Sequence, residues 1–569
     1  MSNEPKFKIA VADCEADPSI PDRRPYPFVW GFEAVDIPFN YHWADTFEKK
    51  GRKTVMKPRE QIGRESVEKF IDYLYSLEDR YCIYMHNGGK YDFMFLLPYL
   101  SDDAMIINGR IVKANIGPHQ IRDSYAAIPV PLSAYKKDDI DYDKLEIDVR
   151  ENHRHEIIKY LNGDCSYLLQ MVVKWREEFG DILTMATGAM RAVKKFVDFD
   201  CLNEQDDKFF RQFYFGGRNQ CFEVGEVKAD TLRVYDINSS YPNVMRNFLH
   251  PISSTFEVSN ELTDETDFLI VTGKNYGALC AKDENGFLSF TIPEGQFYTT
   301  GHELRAGLET GTFEIESIEA AYTATEHISF TEFVDFYYNK RLECASLAKQ
   351  LRALGDIAGA LDQELYVLFW KLVLNSGYGK FALNPEDFKD WCITENDLLA
   401  LDHDTWTPEI QTGDYIFWGK PSQRKKYYNV ATGASITGAA RAYLLRGLSK
   451  AQRAVYCDTD SIICEYLDVA QDSKILGAWK LEAEGDTLYI GGKKLYALYA
   501  NGKPFIDDKG KEKKASKGVK LTSEQIKNVA LGDTVDYANP FPAFKLDGSH
   551  EFVKRSIKRT DRNIVPFGV

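Results

Sequence analysis

Paired cysteines are missing from this chain. Its ten cysteines are scattered and no Cys-x-x-Cys occurs, which argues against a zinc site or a disulfide framework and fits a reducing cytoplasm. No apolar run is long enough to span a membrane, and Met1-Ser2-Asn3-Glu4-Pro5-Lys6 has no signal-peptide pattern. Internal repeats and low-complexity tracts are absent too. Positive charge is in deficit overall: a net charge of −16 at pH 7 speaks at first against a nucleic-acid partner. The deficit is uneven, however. Residues 490–569 carry 16 Lys and Arg against 9 Asp and Glu, and a local basic surface can grip a polyanion while the body stays acidic. A solvated basic end is the plain alternative. With 569 residues, 44% hydrophobic and 27% charged, the chain has the composition of a soluble globular protein and a length that asks for roughly three or four domains.

What the chain does have is carboxylates in a set order. Tyr235-Asp236-Ile237-Asn238-Ser239-Ser240-Tyr241-Pro242 comes first, Lys371-Leu372-Val373-Leu374-Asn375-Ser376-Gly377-Tyr378-Gly379 second, and Tyr456-Cys457-Asp458-Thr459-Asp460-Ser461 third. Asp236 ends a strand, and Asp458 with Asp460 fits a tight hairpin. Such oxygen ligands suit magnesium or manganese, and two cations about 4 Å apart clamp an in-line phosphoryl displacement. Any one of these acids alone reads as a turn residue; the ordered set with Lys371 reverses that. Lys371, Asn375 and Tyr378 fall at i, i+4 and i+7 and share one helix face. A lysine there can neutralise a triphosphate and a tyrosine can pack on a base, although an amphipathic helix with a solvent-facing lysine gives the same pattern. Arg341 is a second candidate phosphate contact, against a plain surface arginine. Tyr241 can sit under an incoming sugar and exclude a 2′-hydroxyl, where most tyrosines merely pack.

A second acidic set lies upstream. Asp13 and Glu15 share a strand face, Asp92 follows another strand, and Tyr160 and Asp164 share a helix face. Four carboxylates from three elements can hold two metals and activate water against a phosphodiester, with Tyr160 to orient that water. Two other patterns are set aside. His153 and His155, two apart, split across a helix, and Asn238-Ser239-Ser240 is a glycosylation sequon by pattern only.

Around these motifs the periodicity predicts strands at Phe7–Asp13 and Arg80–Asn87 and a helix over Glu151–Phe179, an α/β layer arrangement. A boundary is expected near Asp198–Asp207. A strand follows over Thr231–Tyr241, and short β pieces fill Asn260–Ser329. Phe330–Phe381 reads as a helical hairpin broken near Gly355, Asn384–Lys426 as irregular, and Tyr427–Gln452 as a Gly- and Ala-rich helix suited to close packing.

Taken together, these residues resemble family B DNA polymerases. The three later motifs look like that family's motifs A, B and C. Asp13-Cys14-Glu15, Asn87 to Asp92 and Tyr160 to Asp164 look like its three exonuclease motifs. Tyr214-Phe215-Gly216-Gly217 resembles the YxGG element joining the two activities, and Lys494-Leu495-Tyr496 the KxY element that holds a primer end. The chain is most similar to the protein-primed branch: it is compact, and it has long stretches between its motifs where that branch carries insertions. His86-Asn87-Gly88-Gly89-Lys90, Tyr214 to Arg218 and Gly433 to Arg441 are similar to the polymerases of tectiviruses, the tailless membrane-containing bacteriophages. Lys137 resembles a helper lysine of the exonuclease site. Ser240 and Gly377 depart from common family residues without removing a ligand.

The resemblance implies an α/β and α+β multidomain fold. An RNase H-like 3′–5′ exonuclease domain would occupy 1–190. A right hand would follow: palm 191–259 and 427–497, fingers 330–383, thumb 498–569, with insertions at 260–329 (terminal-protein binding) and 384–426 (processivity and strand displacement). It implies Mg2+ or Mn2+, two per site. Asp236, Asp458, Asp460 and the Ile237 carbonyl would hold one pair, and Asp13, Glu15, Asp92 and Asp164 the other. Tyr241, Arg341, Lys371, Asn375 and Tyr378 would bind the nucleotide. Asn87, Tyr214, Gly216, Gly217, Lys494, Tyr496, Lys554 and Arg555 would contact DNA, as would Lys558 and Arg559 at the basic end. The expected partners are template and primer DNA, deoxynucleoside triphosphates and a terminal protein. The expected state is a monomer in the cytoplasm of a bacterial host. Two alternatives stay open: an enzyme of this fold extending conventional primers only, and a non-catalytic DNA-binding scaffold.

Overall fold

A computed structural model describes residues 7–18, 20, 23–101, 103–132, 139–395, 401, 404–412, 415–423, 425–508, 510–539, 543–544, 550–561, 564–565 and 567. Its first layer is built around the strand Lys8–Ala16, which is parallel to Tyr81–Met85 and antiparallel to Pro27–Ala34. The period of two along that strand sends its side chains to opposite faces. Val11 packs in a core shared with Ile157, Leu161 and Leu168 of the helix Arg154–Phe179. Ala10, Ala12 and Cys14 pack with Phe70 and Leu74 of the helix Arg59–Ser76. Asp13 and Glu15 continue the Val11 face, toward the helix that carries Tyr160 and Asp164.

This sheet has ten strands, and three come from far along the chain. Lys389–Glu395 pairs with Asp103–Ile107 through Trp391 opposite Ala104, and Tyr415–Pro421 and Thr407–Thr412 extend the edge. The stretch expected to be irregular thus contributes three antiparallel strands, with Tyr415–Pro421 between the other two. Its Trp, Ile, Tyr and Phe residues suit a pleated, half-buried surface, and Ile393 and Phe417 join the first-layer core.

The second sheet is antiparallel. It runs Asn219–Cys221, Ala451–Asp458, Ser461–Leu467, Gly225–Ile237, Trp479–Gly492, Leu495–Ala500. The strand expected to reach Tyr241 stops at Ile237. Ser239 takes φ +55°, and a helix begins at Ser240 and runs to Asn247, with Pro242 in its first turn, where the missing N–H costs nothing. Tyr241 is therefore helical.

The helix Val430–Leu448 crosses behind this sheet and is buried nearly throughout. Its small residues are required: a Cβ at Gly438 would lie 2.3 Å from Thr300 Oγ1, and one at Gly447 would lie 2.5 Å from Trp479. Phe256–Ser259, Phe313–Ala324, Phe268–Asn275 and Glu294–Thr300 form a separate four-stranded sheet, followed in the chain after Thr300 by the helix Gly301–Glu309. The helical hairpin is Thr331–Ala353 and Ile357–Phe381, turned at Gly355 with φ +83° and capped by Asp356 on the Gly359 N–H. Near the C-terminal end, Ser523–Leu531 starts with a Thr522/Gln525 capping box and stops at Gly532, φ +110°.

The hairpin is bolted to the first layer. Trp175 meets Phe369 edge-on at 5.2 Å, and Phe179 meets Trp370 at 5.9 Å, within one continuous core. Phe369 is fully buried. We expect Phe369→Ala to destabilise the protein by about 3–5 kcal/mol in chemical denaturation; a loss under about 1 kcal/mol would show that this junction is not load-sharing core.

Candidate active site

Asp236 closes the strand Gly225–Ile237, opposite Ser461 on one side and Lys480 on the other. Asp458 pairs with Ser461 across a two-residue turn, Thr459-Asp460, in which Thr459 has φ +57°. That turn is docked on the first strand by a backbone bond from the Ile237 N–H to the Asp460 carbonyl, 2.7 Å. The three acids expected from sequence therefore meet at neighbouring strand ends, although Asp236 is more than 200 residues from the other two in the chain.

The charge they gather shows in their acidities. Burial, with the negative charges of Asp236 and Asp458, pushes the Asp460 carboxyl up to about 7. Burial also raises Asp236, against the opposing pull of Lys480. Two lysines offset the crowding. Lys480 Nζ lies 3.0 Å from Asp236 and 2.8 Å from Glu482, and Lys494 Nζ donates to both Asp458 oxygens at 2.5 and 2.6 Å. Lys494 has φ +59°, and its N–H donates to Tyr456 Oη at 2.9 Å; Tyr456 and Tyr496 pack at 5.0 Å. The lysine of the KxY-like element is thus tied to one of the three acids.

Tyr241 and Tyr378 stack face to face, 4.0 Å apart and inclined by 14°, so two nucleotide candidates from different elements form one surface. Arg341 Nη1 reaches Ser239 Oγ at 3.4 Å, beside the Asp236 strand end. Lys371 and Asn375 are exposed on the hairpin helix, and Tyr378 is half-buried.

The YxGG loop sits directly on the acids' turn. A Cβ at Gly217 would lie 2.7 Å from Thr459 Oγ1, and the Arg218 carbonyl accepts the Thr459 N–H at 2.6 Å. The loop is held from behind by Arg441, whose Nη1 donates to the Phe215 and Gly216 carbonyls while Nε and Nη2 fork onto Glu303 at 2.7 and 2.8 Å. Both partners are 3% exposed. Tyr214 is half-buried and Gly216 exposed. Lys554 and Arg555 are exposed on the strand Lys554–Ile557, and Arg555 donates to the Gly518 carbonyl.

In the upstream set, burial and the charges of Asp164 and Glu15 raise Tyr160, which places these three together. Asp92 opens the helix Asp92–Leu96, is buried, and accepts from the Cys14 thiol at 3.2 Å. Asp92, Asp13 and Glu15 all act on the buried Cys14 thiol and help to raise it. Tyr91, raised by burial and then by Cys14, Asp92, Glu15 and Asp13, lies among the same acids. Burial pushes Asp92 itself up to about 7. Asn87, φ +64°, is exposed, five residues before Asp92. Lys137 lies outside the described residues.

Against known proteins, the family described as DNA polymerase type B, organellar and viral, matches residues 130–463. A DNA-directed DNA polymerase of Enterobacteria phage PRD1 is 42% identical over 98% of both chains. The chain belongs to the type B DNA polymerases. The resemblance drawn from its motifs is borne out. It is a DNA-directed DNA polymerase by family. A DNA polymerase of Bacillus phage phi29 is 24% identical over 64% of each chain. The solved phi29 enzyme with primer-template DNA superposes at TM-score 0.68 with 16% identity, covering 97% of this chain and all of that one. Its ternary complex with incoming nucleotide gives 0.67 at 18% identity, covering 98% and 100%. The multidomain α/β and α+β fold is the same.

Among the described residues no three His, Cys, Asp or Glu side chains converge as a finished metal cage. The donor set nevertheless fits hard divalent cations. It is all oxygen, it is crowded enough to lift Asp460, and it is offset by lysines that lie on two of its carboxylates. Sequence reasoning missed Lys480, Glu303 and Arg441 as site supports. Lys480 follows from strand register, opposite Asp236, and Arg441 closes the segment Gly433–Arg441.

A carboxyl whose folded-state pKa is raised stabilises the fold fully below its ordinary value of 3.8, and that contribution is lost as pH rises through about 7. In chelating buffer we expect Asp460→Asn to melt above wild type at and beyond about pH 7 and to lose this pH dependence. Parallel melting curves for the two proteins would remove the crowding argument.

Proposed function

We propose that this chain is a replicative, protein-primed DNA polymerase with a 3′–5′ proofreading exonuclease. It would copy a linear viral genome as a monomer in the cytoplasm of a bacterial host. The observation that carries the polymerase reading is the 2.7 Å backbone bond that brings Asp460 beside Asp236, next to an arginine and near a tyrosine stack suited to a nucleotide. Asp236, Asp458 and Asp460, with the Ile237 carbonyl, would hold Mg2+ or Mn2+, and Asp13, Glu15, Asp92 and Asp164 would hold a second pair. When bound, such ions supply Lewis-acid polarisation of phosphoryl oxygens and charge neutralisation on the leaving group.

The residues themselves orient and exclude. Arg341 and Lys371 bind the triphosphate as fixed cations. The Tyr241–Tyr378 stack forms the floor of the sugar and base pocket, with Tyr241 positioned against a 2′-hydroxyl. Lys494 and Tyr496 hold the primer end. The exposed Lys554 and Arg555, with Lys558 and Arg559, meet duplex phosphates without reading sequence. Asn87 and the Tyr214–Gly217 loop guide a strand between the two acid sets. In the upstream set, Tyr160 orients the attacking water, with Lys137 as a helper. The domain limits follow the motif assignments, with residues 260–329 docking the terminal protein and 384–426 favouring strand displacement.

Two experiments test this reading. Asp460→Ala should reduce primer extension to background yet leave 3′–5′ digestion of single strands, and Asp13→Ala should do the reverse; loss of both activities in either variant would rule out separate sites. Incubation with labelled nucleotide, divalent cation and a candidate terminal protein should leave label on that protein after denaturation. Label found only on oligonucleotide primers would instead favour the enzyme that extends conventional primers.

A further inference from the structure

Arg218 is 1% exposed, and its guanidinium bonds only neutral groups, Gln220, the Gly277 carbonyl and the Cys457 thiol, with the charge of Glu303 acting on it without a bond. Nε and Nη2 donate to Gln220 Oε1 at 3.2 and 2.7 Å, and Nη1 donates to the Gly277 carbonyl at 2.8 Å. The ring of Phe290 lies 4.3 Å from it, and that of Phe567 5.5 Å. Burying a guanidinium without a carboxylate against it is costly, so its place needs a reason beyond packing.

The reason lies in the Arg218 main chain. Its carbonyl is 2.6 Å from the N–H of Thr459, the left-handed residue between Asp458 and Asp460. Asn219 and Gln220, next in the chain, pair with Asp458 and Cys457. Gly277 and Phe290 belong to the first insertion, not to the palm strands. One side chain thus ties that insertion to the backbone that shapes the acids' turn.

We propose that Arg218 is a positioning residue for nucleotide transfer: the first insertion, through Gly277 and Phe290, clamps its guanidinium, and its carbonyl in turn fixes Thr459 so that Asp458 and Asp460 keep their orientation. The sugar and base pocket, built by Tyr241 and Tyr378, is not touched by Arg218, so the effect falls on the chemical step and not on nucleotide binding. The inference rests on the polymerase reading of the Asp458–Asp460 turn.

The test uses the full-length protein on an ordinary primer-template. Arg218→Met keeps much of the volume and removes the fork. We expect kcat for incorporation to fall about tenfold or more, with KM for the nucleotide within about twofold of wild type. Hydrogen exchange should accelerate at Thr459 and its neighbours while the rest of the palm stays protected. Arg218→Lys, which keeps the charge but not the fork, should fail to restore kcat. Should Arg218→Met not fold, Gln220→Leu removes one prong and is read by the same two measurements, with a smaller fall in kcat. Unchanged kcat with Thr459 still protected would overturn the proposal. So would kcat and KM changing together with protection lost evenly across the palm, the mark of a plain core residue. Asp460→Ala is run alongside. If it still extends primers, the turn is not the transfer site and the inference falls with that reading. That failure is distinguishable from an absent Arg218 effect in a protein that Asp460→Ala inactivates.

Discussion

Like charges held at neighbouring strand ends repel, and the palm is arranged around that repulsion. Asp236, Asp458 and Asp460 are brought together by sheet register and a 2.7 Å backbone bond, and the cost is visible in the raised Asp460. Lys480 stands directly opposite Asp236 in the next strand, and Lys494 grips Asp458. Local strain accompanies the crowding: Ser239, Thr459 and Lys494, each beside one of the acids, all take positive φ without being glycine. Such conformations cost free energy and persist only where the surroundings over-determine them. An arrangement that destabilises the fold in exchange for a dense oxygen site is what divalent-metal chemistry requires.

Over-determination comes from behind the sheet. The helix Val430–Leu448 is lined with small residues so that neighbouring elements can approach, and from it Arg441 reaches both the YxGG carbonyls and Glu303. A buried ion pair like this contributes little net stability, because desolvation offsets most of the attraction, but removing either partner leaves a stranded charge. Its value lies in fixing geometry. Glu303 sits in the helix Gly301–Glu309, so the stretch expected as the first insertion is tied by a buried pair to the helix behind the acids.

Much of this was legible in the sequence because the relevant signals are local. The hairpin turn at Asp458–Asp460, the helical break at Gly355 and the close-packing helix beginning with Val430 are written in short-range patterns. The joint convergence of Asp236, Asp458 and Asp460 was inferred from the ordered motifs and their family resemblance. What was not legible depends on partners distant in sequence. Nothing near Lys480 marks it as the counter-charge to Asp236, and the strands Lys389–Glu395, Thr407–Thr412 and Tyr415–Pro421 are joined to the first sheet only where Trp391 meets Ala104. In the upstream set, nothing in the spacing announces the bond between the Cys14 thiol and Asp92. The strand–turn–helix switch before Tyr241 was hidden because Ser239 takes a conformation that its residue type does not announce.

The two acid sets are also mechanically joined. The helix Arg154–Phe179 carries Tyr160 and Asp164 near its start and Trp175 near its end, while Ile357–Phe381 carries Phe369 and, two residues later, Lys371. Trp175 and Phe369 touch inside one core. Close-packed interiors transmit displacement and do not absorb it. Moving the helix Ile357–Phe381 independently of Arg154–Phe179 would open that core at the expense of two large aromatic side chains. If the two sites act as proposed, the frayed end of a growing strand must travel between them while the helices bearing them stay in register. The Tyr214–Gly217 loop, pinned by Arg441 at its carbonyls and leaving Gly216 exposed, is then a fixed guide along that path and not a moving gate.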